Sequence, residues 1–215
     1  MHDLFDLDPR EAETVALGPD AAVLRRFACD VAADVLEDLN AVAARAPFRN
    51  MTTPGGYTMS VAMTNCGAAG WVTDLHGYRY TGHDPVSGDP WPPMPAAFFG
   101  LAVRAAAAAG FGDFRPDACL INRYAPRTKL SLHQDRNEAD YAAPIVSVSL
   151  GLTARFLFGG LKRNDRVKRV ELRHGDIVVW GRMARLAYHG VDTLKDGDHP
   201  ATDRCRFNLT FRKAL

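Results

Sequence analysis

From residue 116 onward the chain reads as short apolar segments at 118–124, 130–135, 144–150, 154–158, 167–173, 176–181, 186–191 and 205–212. Turn pairs cut them apart: Ala-Pro, Gly-Gly, Asn-Asp, His-Gly and Asp-Gly. Short strands at such spacing predict a β-sandwich or barrel. Helical patterns precede these segments and do not alternate with them, which disfavours a doubly wound parallel sheet. The expected class is therefore mostly β, of α+β type.

Two helices are expected ahead of the strands. One covers about 30–46, with Asp30 as N-cap, Val31, Val35, Leu39 and Val42 on one face, and Pro47 as the stop. The other covers about 95–109, with Pro95 in its first turn and Gly110 at its end. Between them, after the turn Pro54-Gly55-Gly56, the odd positions Tyr57, Met59, Val61 and Met63 form the apolar face of a strand. A proline-rich loop, HDPVSGDPWPPMP, follows at 83–95. The acidic first 20 residues are expected to be a weakly ordered arm, leaving 21–215 as one domain.

A net charge of +1 in 215 residues gives no global attraction to nucleic acid, but residues 160–173 hold six basic and two acidic side chains, a local +4. That stripe is either a solvated hairpin face or a seat for a phosphate backbone. No apolar run reaches the length of a membrane span, and the acidic N-terminus lacks the basic-then-apolar order of a secretory signal. The four cysteines (Cys29, Cys66, Cys119, Cys205) are scattered, as expected of buried free thiols in a reducing cytoplasm. No heptad or long amphipathic seam suggests assembly, so a monomer is expected.

His-x-Asp occurs twice. In VELRHGDIVVW, His174 and Asp176 flank Gly175 between two strands, and the pair reads as a structural turn. In KLSLHQD, His133 and Asp135 end an apolar alternation and, being two apart, reach one side of a strand. His189, at the end of LAYHGV, supplies a third ligand. Two imidazoles and one carboxylate occupy one face of octahedral Fe(II) and leave open positions. Zinc with one water would accept the same three.

The last strand, CRFNLTFR, places Phe207, Leu209 and Phe211 on one face and Arg206, Asn208, Thr210 and Arg212 on the other. If that second face points inward, two arginines and an amide need an anion, and a small dicarboxylate suits them. Asn122 and Tyr124 in LINRY are again two apart on one face.

The blocks PGGYTMSVAMTNCG, DACLINRYAP, KLSLHQD, PIVSVSLG, FGGLKRND, HGDIVVWG and CRFNLTFR, in this order from about residue 20 to 213, resemble the AlkB family of DNA-repair dioxygenases. The resemblance implies a double-stranded β-helix over about 116–213 and a nucleotide-recognition lid over about 48–92. It implies Fe(II) on His133, Asp135 and His189, 2-oxoglutarate on Asn122, Tyr124, Arg206, Asn208 and Arg212, and O₂ as oxidant. Arg212 is expected on the distal carboxylate of 2-oxoglutarate. Trp71 would stack on an extruded base with His133 against its other face, while Tyr78 and Arg163 contact the nucleotide. The implied reaction is oxidative removal of N-alkyl groups, of the N1-methyladenine and N3-methylcytosine type, from single-stranded or damaged DNA, with double-stranded DNA and RNA as further substrates. The other readings are the same chemistry on RNA or protein, a non-catalytic module that senses alkylated bases, and a zinc hydrolase. One position departs from the family: where its members carry an aspartate against the base, this chain has Asn137, which brings no negative charge unless Glu138 or Asp140 swings in.

Overall fold

The computed structural model describes residues 13–215. A hairpin of β1 (Thr14–Gly18) and β2 (Ala21–Leu24) precedes α1 (Ala32–Arg45). Next come β3 (Arg49–Thr52), β4 (Thr58–Gly67), β5 (Gly70–Asp74), β6 (Gly77–Thr81) and α2 (Ala96–Ala108). The remaining strands are β7 (Ala118–Tyr124), β8 (Leu130–His133), β9 (Ile145–Gly151), β10 (Ala154–Phe158), β11 (Lys168–Leu172), β12 (Ile177–Trp180), β13 (His189–Val191) and β14 (Arg206–Arg212).

One large sheet runs β1-β2-β12-β9-β14-β7-β4-β3, a smaller one runs β11-β10-β13-β8, and β5 pairs with β6 alone. Every strand pairing is antiparallel. Strand alternation gives the large sheet two working faces. Ile121, Val148, Ile177, Leu209 and Phe211 point to the side covered by α1 and α2, where they form one core with Val35, Leu39, Phe98 and Leu101. Residues one step away, such as Leu120, Tyr124, Ile145, Val178 and Trp180, face the small sheet and pack with its Phe156, Phe158 and Val191 in a second core. This is the double-stranded β-helix. The polar residues of β14 fall on the face turned toward the small sheet, so the cavity between the sheets inherits them.

All the strands expected after residue 116 are present, most within a residue or two. Five are shorter than expected, and two of these shortenings have consequences for the site. β8 ends at His133, so Asp135 lies just beyond the strand. β13 begins at His189, so that histidine opens the strand; a 3-10 turn (Arg182–Ala184) and the Ala187 N–H bond to Ala184 O occupy the preceding residues. Three further corrections concern the N-terminal half. Asp30 does not cap α1, which starts from Val31 without a side-chain cap. Residues 14–18 are a paired strand, not part of an arm, and the rest of that expectation, residues 1–12, lies outside the described residues. The segment 48–92 holds four strands, of which β3 and β4 extend the large sheet and only β5–β6 stands apart. The four cysteine thiols are free, as expected, but only Cys66 and Cys119 are buried; Cys29 is exposed and Cys205 half-buried.

The His174–Asp176 turn is structural, as expected. Gly175 takes a φ of +84°, and a Cβ there would fall 2.3 Å from Cys29 Sγ. The Asp176 carboxylate accepts the backbone N–H groups of Arg26 and Arg173 and a guanidinium hydrogen of Arg25. Among the described residues no helix is long and apolar enough to cross a membrane.

Candidate active site

The inner faces of the two sheets enclose a cavity of about 660 Å³. Every expected site residue except Arg163 lines it. Arg163 sits outside, donating to Leu132 O and lying over the Tyr188 ring, 5.9 Å from its centroid.

His133 and His189 are registered neighbours across β8 and β13, with ring centroids 4.4 Å apart. Asp135 completes a triad in which one ligand atom from each residue lies within 4.8 Å of the others. His133 Nε2 is 3.7 Å from Asp135 Oδ1, and His189 Nε2 is 3.8 Å from Asp135 Oδ2. Each Nδ1–H is occupied by a backbone carbonyl, Ser131 O at 2.9 Å and Ala187 O at 3.0 Å. That fixes the tautomer and turns both Nε2 lone pairs toward the shared point, the arrangement found around metal-bound histidines. Burial lowers the His189 pKa to about 4, with His133 adding to the effect and Asp135 opposing it. The ring is therefore neutral and able to ligate at neutral pH. Burial alone would raise the Asp135 pKa, but Arg212, His189 and His133 outweigh it and hold the carboxyl ionised.

The close approach of β8 to β13 depends on Gly190. A Cβ there would meet Leu130 O at 2.6 Å and the Ser131 and Leu132 backbone at 3.1–3.2 Å. Gly190→Ala is expected to push the His133 strand from the His189 strand. The expected results are a stability loss of about 1–3 kcal/mol in urea denaturation and weaker metal binding in titration.

Beyond the triad, the face of β14 meets β7 and β9. Arg206 is registered with Tyr124, and Asn208 with Asn122. Arg206 is 1% exposed and lies 5.0 Å from the centroid of the Tyr124 ring. Only its Nη2 is bonded, to Ser149 Oγ at 2.7 Å. Its Nε and Nη1, the Tyr124 hydroxyl and Asn122 Oδ1 are buried without a partner. Native interiors rarely leave such groups unpaired. Cationic and hydroxyl donors gathered at one end of a cavity make a cradle for a carboxylate. Burial lowers the Arg206 pKa, Tyr124 opposing, so a counter-charge would relieve a real cost.

Arg212 stands elsewhere. Its Nε and Nη2 both lie 2.8 Å from Asp135 Oδ2. The expectation that Arg212 takes the distal carboxylate of 2-oxoglutarate is thus corrected. Arg212 is held at the metal ligand, beside the end where a keto acid would chelate, and the open guanidinium is Arg206. Ser147 and Ser149, which bond to Asn208 and Arg206, complete this shell. Their alternation in IVSVSLG is the signal that reveals them: two hydroxyls, two apart, in an otherwise apolar strand.

Over the triad, Trp71 on β5 and Tyr78 on β6 stack at 5.7 Å between centroids and 23° between planes. Met59 and Met63 of β4 line the same space. Asn137 Oδ1 accepts the Trp71 indole N–H at 3.2 Å. Neither acidic neighbour of Asn137 substitutes for the missing charge. Glu138 is buried against Arg185 and Tyr80, and Asp140 Oδ1 binds the Ala142 N–H and lines a different cleft.

A double-stranded β-helix with two histidines and a carboxylate converging inside it, and a cation-lined cradle for a dicarboxylate beside them, defines an Fe(II)/2-oxoglutarate oxygenase. Over residues 20–212 the chain matches the 2OG-Fe(II) oxygenase superfamily. It is 61% identical over 215 residues to the alpha-ketoglutarate-dependent dioxygenase AlkB of Escherichia coli strain K12, covering 100% of this chain and 98% of that one. It is 38% identical over 121 residues to the human nucleic acid dioxygenase ALKBH1, covering 56% of this chain and 31% of that one. The solved structure of OsALKBH1 superposes with a TM-score of 0.82 at 28% identity, covering 94% of this chain and all of that one. The chain belongs to the AlkB family of 2-oxoglutarate- and Fe(II)-dependent dioxygenases.

Proposed function

We propose that this dioxygenase removes N-alkyl groups from bases of the N1-methyladenine and N3-methylcytosine type in single-stranded or locally unpaired DNA, with RNA as a second substrate. The observation that carries this reading is the Trp71–Tyr78 aromatic pair lining the same cavity as the metal triad. A base must leave the helix stack to enter such a site, and a lesion that already blocks pairing is the cheapest to extrude. The relative named as a nucleic acid dioxygenase and the local +4 of residues 160–173 support a polyanionic substrate.

His133, Asp135 and His189 hold Fe(II), and the residues lining the cavity hold 2-oxoglutarate. Arg206 and Tyr124, with their unpartnered donors, would take its distal carboxylate, Arg212, held at Asp135, would stand by its keto-acid end, and Asn122 and Asn208 would line the rest of its seat. With both held there, the centre would let O₂ act as the four-electron oxidant, one oxygen atom entering the N-alkyl carbon as a hydroxyl and the other entering 2-oxoglutarate, which would leave as succinate and CO₂. A hydroxylated N-methyl group is a hemiaminal. It collapses as its hydroxyl proton leaves and the C–N bond breaks, giving formaldehyde and the restored base. Trp71 and His133 orient the base by contact with its faces. Trp180 and Phe156, with ring centroids 4.8 Å and 6.3 Å from that of His189, wall the triad against water. Exclusion of water limits side reactions of the oxidising centre. The reading is tested by following succinate and formaldehyde on methylated and unmethylated oligonucleotides of one sequence. Equal release in a ratio of about one, and only with the methylated strand, is expected. Succinate without formaldehyde on every nucleic acid tried would move the reaction to another substrate class.

Asn137 sets a preference within that class. Its carbonyl is engaged by the Trp71 indole, so its amide N–H₂ is the group left to face a base. Cationic lesions present an exocyclic N–H and a positive charge, for which a carboxylate is the better partner. Asn137→Asp is expected to raise kcat/KM on an N1-methyladenine oligonucleotide roughly fivefold to tenfold. Equal values for the two proteins would show that this position does not read lesion charge.

A further inference from the structure

The loop 134–143 does more than carry Asp135. Glu138, three residues on, is almost wholly buried, its side chain 2% exposed. Its Oε2 accepts from Arg185 Nη2 at 3.0 Å, and its Oε1 accepts the Tyr80 hydroxyl at 2.7 Å. Arg212 Nε lies 3.5 Å from the same Oε1 while bonding Asp135. Arg185 also donates to the backbone carbonyls of Asp135 and Ala143, fixing the loop at two points. Two guanidinium groups and two carboxylates thus form a neutral buried cluster, with one phenol donating into it.

That phenol belongs to the separate two-stranded sheet. Tyr80 on β6 is registered directly opposite Trp71 on β5. The cluster therefore reaches, through one hydrogen bond, the residue pair that presents the stacking aromatic. Burial raises the Tyr80 pKa well above that of a free phenol, Arg212 opposing and Glu138 and Asp135 adding, so the hydroxyl remains a donor. Few other polar contacts tie this hairpin to the body of the protein. Asn65 bonds the Trp71 backbone, Asn137 bonds the Trp71 indole, and Trp91 donates to Thr81 O.

We infer that Tyr80 and Glu138 are positioning residues: their hydrogen bond latches the β5–β6 hairpin, and with it Trp71, to the loop that supplies the metal-binding carboxylate. The latch acts on the base-binding wall and leaves the Arg206 cradle untouched. Its placement of Trp71 is geometric, while its effect on substrate binding rests on the nucleic-acid reading above.

Tyr80→Phe tests it, because the phenyl ring keeps the packing and the Glu138–Arg185 ion pair stays intact. Amide hydrogen exchange across residues 70–81 is measured in the metal-free protein. Affinities for a fluorescent N1-methyladenine oligonucleotide and for 2-oxoglutarate are measured with Mn(II) and without O₂. The expected result is faster exchange confined to 70–81, an oligonucleotide Kd raised about tenfold, and a 2-oxoglutarate Kd within twofold of wild type. Unchanged exchange in 70–81 would overturn the latch. So would a parallel loss of both affinities, which marks general destabilisation. If wild type itself shows no preference for the methylated strand, the substrate reading fails, and the exchange result still decides the latch.

Discussion

Asp135→Ala is expected to abolish turnover and to lower stability by about 3–5 kcal/mol. Two separate losses combine. The triad falls to two histidines, too few to hold Fe(II) in a facially open geometry. Arg212, buried and bonded twice to Asp135 Oδ2, loses its main counter-charge. Burial works against the Arg212 charge, and its pKa is nevertheless raised because the Asp135 carboxylate, with Glu138 behind it, favours the charged form. Urea denaturation of the metal-free protein isolates the second loss, and calorimetric titration with Mn(II) isolates the first. Stability equal to wild type in the metal-free protein would show that Asp135 is not the partner that makes Arg212 tolerable.

Arg206→Met is expected to move stability the other way. In the cofactor-free protein the guanidinium is buried with two of its nitrogens unpaired. An apolar side chain of similar length removes that desolvation cost, and such replacements are often neutral or stabilising by about 1–4 kcal/mol. The same change deletes the cation of the proposed carboxylate cradle. Truncating one side of a buried, hydrogen-bonded charge pair costs about 2–5 kcal/mol, so 2-oxoglutarate affinity should fall by roughly 30-fold or more. Thermal denaturation with and without 2-oxoglutarate reads both effects. The variant should melt at or above wild type alone and gain almost nothing from the co-substrate. Arg206→Lys should not restore binding, because an ammonium cannot offer the planar two-nitrogen face. A normal stabilisation of Arg206→Met by 2-oxoglutarate would reject the cradle.

The strand pattern was legible in the sequence because it rests on a period of two, whereas of the triad only the spacing of His133 and Asp135 was, since Asp135 lies just past the end of β8 and His189 comes from another strand. CRFNLTFR separates its apolar and polar faces cleanly, and the structure buries one under helices and turns the other to the cavity. What period cannot supply is direction. Nothing in the spacing of Arg206 and Arg212 says which lies nearer the metal. That depends on where β14 passes the loop after β8, a contact across 77 residues. The charge run HQDRNEAD reads like a solvated loop for the same reason. Glu138 is buried only because Tyr80 and Arg185, 58 and 47 residues away, meet it. The β1–β2 hairpin was hidden by its acidic neighbours, although TVALGPDAAVL carries two apolar segments and a Gly-Pro-Asp turn. The β5–β6 hairpin, GWVTDLHGYRYT, shows weak alternation because one side carries Trp71, Thr73, Tyr78 and Tyr80 and the other only a single buried aliphatic residue, Val72, among Gly70, Asp74, Arg79 and Thr81.

The proposed reaction is oxidative dealkylation of a nucleic-acid base at the His133–Asp135–His189 centre. The most direct test is the mass of a single-stranded oligonucleotide carrying one N1-methyladenine, after incubation with the protein, Fe(II), 2-oxoglutarate and air. The expected result is loss of one methylene mass, dependent on 2-oxoglutarate and absent in His133→Ala. An unchanged oligonucleotide, in protein shown to hold iron and to bind 2-oxoglutarate, would contradict it, as would loss of the methyl group without the co-substrate.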